Sequence, residues 1–169
     1  MKKLLITSVL LTTLGLYACN KTSTTPNNNN NPTPTPTTLK NEWEIKGNKY
    51  KMSLCMFIEP TILGAMETMP SGSNPVNNVA VYFKNKPTAN GNYKVVFYAD
   101  MDSLAADEVG IAVNVISNNS QYYAAGTDNV QAKVTIVNGK VDFELPETVM
   151  FTAQPAPDTT TLKAHFTEQ

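Results

Sequence analysis

Few residues in this chain are equipped for chemistry, and their spacing limits what they can do. His165 is the sole imidazole. It falls in Leu162-Lys163-Ala164-His165-Phe166, where strand alternation sends Leu162, Ala164 and Phe166 inward and His165 outward. A hydrolytic triad needs that ring beside an activated nucleophile, and no Gly-x-Ser-x-Gly elbow is present. An exposed strand histidine is the plainer reading. Paired carboxylates would suit glycoside hydrolysis, but the acids fall on outward strand positions or in one loop. In that loop Asp100, Asp102, Asp107 and Glu108 are candidates for Ca²⁺, which takes roughly six to eight oxygens. Their spacing lacks the glycine and terminal glutamate of an EF-hand, so a solvated acidic loop is expected. Met52, Cys55, Met56, Met66 and Met69 offer soft ligands of the kind Cu(I) prefers. On an unbroken strand Cys55 faces away from Met52 and Met56, which stand ~13 Å apart at ~3.3 Å per residue. Core filling is the expected role of these methionines. Tyr82 and Tyr98, on the outer sides of two strands, are the candidate platform for a glycan or small ligand. Burial beneath residues 59–78 is the alternative. No catalytic residue, metal or cofactor is expected.

One more residue carries chemistry of another kind. Lys2 and Lys3 precede an apolar run, Leu4 to Leu16, and the run closes on Leu16-Tyr17-Ala18-Cys19. The run is shorter than the ~20 apolar residues a spanning helix needs and has the length of a secretory h-region. This segment resembles the lipobox of bacterial lipoprotein signal peptides: Leu16, Ala18 and Cys19 match, and Tyr17 departs from the usual small or branched residue. The resemblance implies cleavage after residue 18, diacylglycerol on the Cys19 sulfur and acylation of the new amine. Two or three acyl chains hold stably where one holds marginally. Asn20, rather than an aspartate, follows the cysteine, which points to the outer membrane; its periplasmic or outward face stays open.

Residues 19–38 are the lipidated cysteine and a tether of Asn, Thr, Ser and Pro, with Lys21 its single charge. No apolar residue offsets the entropy of ordering, and the alternating prolines favour polyproline II. At ~3.1 Å per residue it reaches roughly 60 Å, enough to hold a domain off a bilayer.

Residues 39–169 form a single predicted domain. The chain has 13 basic residues, all lysine, and 14 acids; without Lys2 and Lys3 that is 11 against 14, a net charge of −3. A basic footprint for nucleic acid is lacking, as is arginine, the usual bidentate clamp for anions. With Cys19 acylated, Cys55 is left as a lone thiol, so the core must supply stability.

The domain reads as short strands. Trp43 and Ile45 alternate with acids, and a Gly47-Asn48 turn would pair Ile45 with Tyr50 and Trp43 with Met52. Tyr50, Met52, Leu54, Met56 and Ile58 continue as one face. Ile62, Ala65, Met66 and Met69 recur at helical spacing between Pro60 and Pro70, predicting one short helix. Val79, Val81 and Phe83; Tyr93, Val95 and Phe97; and Val109, Ile111, Val113 and Val115 give three strands, and Tyr122 to Ala125 returns antiparallel. Asn138-Gly139, the strongest short hairpin signal, pairs Ile136 with Val141, Val134 with Phe143 and Ala132 with Leu145. Pro146 is expected to end that strand. Eight or nine strands with turns about every ten residues predict an antiparallel β-sandwich, with a meandering eight-stranded barrel as the alternative. The Trp43-x-Ile45-x-Gly47-x-x-Tyr50 and Leu162-x-Ala164-x-Phe166 patterns resemble small Bacteroidetes-type lipoproteins of unknown function, and imply a fold but no activity. The expected role is a membrane-anchored envelope protein whose β domain serves structure or protein interaction; the alternative is a glycan- or small-ligand-binding module.

Overall fold

The computed structural model describes residues 39–67, 77–116, 119–127, 129–152 and 158–169, within a compact unit, Pro32–Gln169. Cys19, the leader, the tether and Met69 fall outside the described residues, as do the side chains of residues 98, 99 and 101. Ten strands form: β1 (Glu42–Ile45), β2 (Asn48–Glu59), β3 (Ile62–Glu67), β4 (Asn78–Phe83), β5 (Gly91–Val95), β6 (Glu108–Val115), β7 (Ser120–Ala124), β8 (Gln131–Val137), β9 (Lys140–Thr152) and β10 (Thr159–Thr167). A short 3-10 helix, Tyr98–Ser103, bridges β5 and β6.

The architecture is the antiparallel β-sandwich that the strand count predicts, and its edges are hydrogen bonded. Pairing runs β10-β1-β2-β3-β4-β6-β7-β9 and returns to β10, every step antiparallel. β5 and β8 fill the remaining space between β6 and β9, with β5 parallel to β6. The order is not a meander, because β4 skips β5 to lie beside β6.

One core fills the inside and draws on every strand. A row of register partners shows how: Cys55, Ala65, Val79, Val113, Tyr122 and Thr152 face one another across β2, β3, β4, β6, β7 and β9, all buried. Phe143 packs between Phe83, edge-on at 6.3 Å, and Phe166, stacked at 5.2 Å. Each large side chain so enclosed contributes about 1.5–3 kcal/mol.

Both hairpin turns have left-handed backbone at their two central residues, the type I′ geometry that matches strand twist. At Asn138-Gly139 φ is 53° and 78°, and Ile136 pairs with Val141 and Val134 with Phe143, as expected. The first hairpin turns one residue earlier than predicted. Lys46 and Gly47 carry φ of 52° and 72°, so Trp43 pairs with Tyr50 and Ile45 with Asn48. The shift is two positions in register, so both aromatic rings keep their face, and they stack at 5.6 Å.

Three further expectations are corrected. Residues 62–67 are a strand, not a helix: Gly64 weakens a helix, while β2 and β4 supply ladder partners on both sides. β5 ends at Val95, so Phe97 leaves the sheet instead of continuing its inner face. Pro146 does not end β9. It sits in a bulge, where Pro146 and Glu147 oppose Lys163 alone, a place that tolerates a missing N–H.

Candidate functional site

Of the three bulges in the described ladders, at Ser53 and Ile58 in β2 and at Pro146-Glu147 in β9, the first and the last decide which side chains reach the surface. In β2, Met52 pairs with Glu67 and Leu54 with Met66, leaving Ser53 as the extra residue. Its hydroxyl donates to the Glu67 carbonyl at 2.9 Å. Because side chains alternate with a period of two, one added residue exchanges the faces beyond it. Met52 points in, and so does Cys55; Leu54, Met56 and Ile58 therefore point out, at 38%, 44% and 56% exposure. The expectation that these three line the core is overturned by that single residue. The bulge in β9 acts the same way: Leu145 and then Thr148 face the core, sending Val149 and Phe151 outward.

The outer face of the β2-β3-β4-β6-β7-β9 region is built in register. Met56, Gly64, Ala80, Ala112, Tyr123 and Phe151 form one cross-strand row. Ile62, Tyr82 and Gly110 form the next. On the other side lie Leu54, Met66, Asn78 and Asn114, whose two amides bond at 2.9 Å and end the apolar zone. Small residues fill the middle. The Ile58 side chain lies over Gly64, where a Cβ would stand 2.4 Å from its Cδ1. The 3-10 helix packs on β6, the strand that carries Gly110 and Ala112. Among the described residues, those left exposed on this face are an aliphatic stripe along β2 and an aromatic group at the far side. There Phe97, 42% exposed, stacks on Phe151 at 5.4 Å, and Tyr123 lies 6.1 Å from Phe151.

Among the described residues, the sequence-predicted site residues do not converge. Tyr82 is half-buried on this outer face. Tyr98 belongs by backbone to the 3-10 helix, not to a strand beside Tyr82, and its side chain lies outside the description. Asp100, Asp102 and Asp107 are exposed, and the Glu108 carboxylate accepts from the Ala105 N–H at 3.0 Å. Among the described residues no three His, Cys, Asp or Glu side chains gather where an ion would be held. The sulfur set is split: Met52 and Cys55 face the core, and Met56 faces solvent. Burial pushes the Cys55 thiol up to about 12, the carboxylates of Glu168 and Asp142 adding to the effect. A thiol held neutral in this way is a poor ligand and a poor nucleophile.

His165 is outward, as predicted, but it is engaged. Its Nδ1 accepts from the Asn41 N–H at 3.4 Å, and its Nε2 lies 3.3 Å from the Asp142 carboxylate. Both ring nitrogens thus have a partner within the domain.

The surface around His165 is the opposite of the apolar face. Lys51, Glu42, His165, Glu144 and Lys133 form one register row across β2, β1, β10, β9 and β8. Lys49, Glu44 and Lys163 form the next, and Lys163 reaches Glu147 of the bulge at 2.9 Å. Basic and acidic groups alternate strand by strand.

No family model matches this chain, and no curated protein or solved structure matches it either.

Proposed function

We propose that this chain is a bacterial envelope lipoprotein, cleaved before Cys19, acylated there, and held at the outer membrane by lipid. On this reading residues 20–38 space the β domain from the bilayer, and the domain acts by binding a protein partner rather than by catalysis. The lipobox match of Leu16, Ala18 and Cys19 supports the anchor. So does the resemblance to small Bacteroidetes-type lipoproteins at both ends of the domain. The engaged ring of His165, the scattered acids and the sealed Cys55 thiol support a non-catalytic role.

One observation carries the binding role: Leu54, Met56 and Ile58 stand exposed side by side on one strand. Contiguous exposed apolar groups mark interaction surfaces, whereas scattered ones do not. Strand addition is not the natural mode, since each strand of the closed ring has a neighbour on both sides. Contact falls to side chains.

The test is affinity purification of the tagged, full-length protein from membranes, beside the Met56→Glu/Ile58→Glu double variant. Surface changes of this kind cost about 0.5 kcal/mol or less, so the variant keeps the fold. The partner is expected with the wild type and absent with the variant; equal recovery from both refutes the face. Intact mass checks the anchor, and an unmodified Cys19 with its leader attached refutes it. A second reading, glycan binding, is favoured by the Phe97–Phe151 stack. Binding on a glycan array that Phe97→Ala abolishes, with no partner in the pull-down, would put that reading first.

A further inference from the structure

We propose that Met56 is an oxidation site through which a peroxide turns off the apolar face of the domain. The inference rests on the reading of that face as a binding surface. Met56 stands at the centre of the stripe, between Leu54 and Ile58 on β2, and is 44% exposed. Its register partner on β3 is Gly64, so no β3 side chain stands directly across from it.

The core methionines are shut away. Met52 is 9% exposed and Met150 is 0% exposed. Met66, in the neighbouring row, is half-buried. The contrast between Met52 and Met56 comes from the Ser53 bulge. The two lie an even number of residues apart, and on an unbroken strand both would face the same way. Cys55, the free thiol, is buried as well. Among the described residues, Met56 is thus the sulfur most open to a water-borne oxidant.

The chemistry needs one co-reactant, a peroxide. With hydrogen peroxide, a lone pair on the Met56 sulfur attacks one oxygen and the O–O bond breaks. The proton on the transferred oxygen passes to the departing hydroxide, which leaves as water. Sulfur is oxidised and peroxide is reduced by the same electron pair. The product is a sulfoxide, polar and a hydrogen-bond acceptor, in the middle of an aliphatic stripe. While the face is free, that oxygen stays in water and costs the fold nothing. A partner closing over Leu54 and Ile58 must strip it of water and offer an apolar surface in return. Oxidation therefore acts on binding and spares the core. A methionine sulfoxide reductase, one enzyme for each epimer, reverses it.

The test treats the full-length protein, purified from membranes in detergent, with dilute hydrogen peroxide and follows each methionine by peptide mass. Met56 is expected to take up oxygen about tenfold faster than Met52 and Met150, which must wait for local opening. Similar rates at all three overturn the site. Each protein is then compared with its own untreated sample. Oxidised wild type should bind a phenyl matrix less tightly, keep its Tm, and lose about tenfold in capture of the envelope partner. In Met56→Leu, close in volume but without the sulfur, treatment should leave retention and capture at their starting levels. Met66, Met69 and Met101 remain in that variant, so an equal loss there overturns the role of Met56. A lowered Tm in oxidised wild type also overturns it, because the loss then comes from the fold. Undiminished capture by oxidised wild type overturns the switch and leaves the binding face standing. No capture by untreated wild type overturns the binding face and the switch with it, and the oxidation rates still decide the site.

Discussion

The outer surface of this domain has two halves that share strands and little else. Around β1, β10 and the first part of β9 it carries rows of alternating charge, Lys51-Glu42-His165-Glu144-Lys133 foremost. Around β3, β4, β6 and β7 it carries Met56, Ile62, Ala80, Tyr82 and Tyr123. The two longest strands cross from one half to the other, and each changes character at a bulge, β2 at the first of its two. β2 shows Lys49 and Lys51 outside before Ser53, and Leu54, Met56 and Ile58 after it. β9 shows Asp142 and Glu144 outside before Pro146-Glu147, and Val149 and Phe151 after it. A bulge is usually read as a local kink. Here it also lets one strand keep a continuous core face while its outer face changes chemistry.

The largest effect should come from removing that device. Deleting Ser53 restores strict alternation from Met52 to Phe57 and turns Cys55 and Phe57 outward while Leu54 and Met56 turn in. Leu54 and Met56 would then press on positions shaped for smaller or differently placed groups, and two bulky changes on one strand cannot relax independently. The deletion should cost about 4 kcal/mol or more, measured as the shift in the urea midpoint at constant m-value. A loss under about 1 kcal/mol would mean that the strand slips back into register elsewhere and that the bulge does not set the faces.

That device explains what could and could not be read from the chain. The inner faces of β4, β6, β8 and β10 were legible because unbroken alternation, as in Val79-x-Val81-x-Phe83, has one solution. Asn138-Gly139 fixed its hairpin to the residue, since both positions need a left-handed backbone. Lys46-Gly47 misled because lysine is not a usual residue for that conformation, and the turn moved to Gly47-Asn48. The apolar face was hidden for a different reason. Residues 52–58, Met-Ser-Leu-Cys-Met-Phe-Ile, are apolar at every position but Ser53. Such a run does not say which alternate set is buried. It does say that a large apolar group must face outward whichever set is chosen, and this was the available signal for the binding face. The helix predicted over Ile62–Met69 failed because a few apolar residues fit a period of 3.6 as well as one of two, and pairing with β2 and β4 decided between them.

A smaller effect is expected on the aromatic flank of the apolar half. Gly126 holds φ 65°, and a Cβ there would stand 2.4 Å from the Phe97 backbone nitrogen. Both the conformation and the space exclude a side chain, and the obstacle is backbone, which cannot turn aside. Gly126→Ala should cost about 2 kcal/mol and displace Phe97 from Phe151. Thermal unfolding gives the first quantity and near-ultraviolet circular dichroism reports the second. A full loss of stability with an unchanged aromatic spectrum would show that the Phe97 stack is fixed from elsewhere.

The charged half should yield least, and in a manner the apolar half cannot imitate. Glu42 lies opposite Lys51 on one side and His165 on the other. Glu42→Lys sets a cation against Lys51 and removes one of the carboxylates facing His165. Directly opposed charges in a sheet are worth roughly 0.2–1 kcal/mol, and on half-exposed positions the figure belongs at the lower end. The loss should therefore be about 0.5 kcal/mol at low salt and shrink as ionic strength approaches 1 M, where the Debye length falls to about 3 Å. Midpoints taken at 20 mM and 1 M salt separate the two halves: a charge-row variant converges on the wild type at high salt, and Gly126→Ala does not. If the Glu42→Lys deficit persists undiminished at 1 M salt, the alternation of charge contributes nothing to the fold, and the glutamate's packing between its neighbours accounts for the loss.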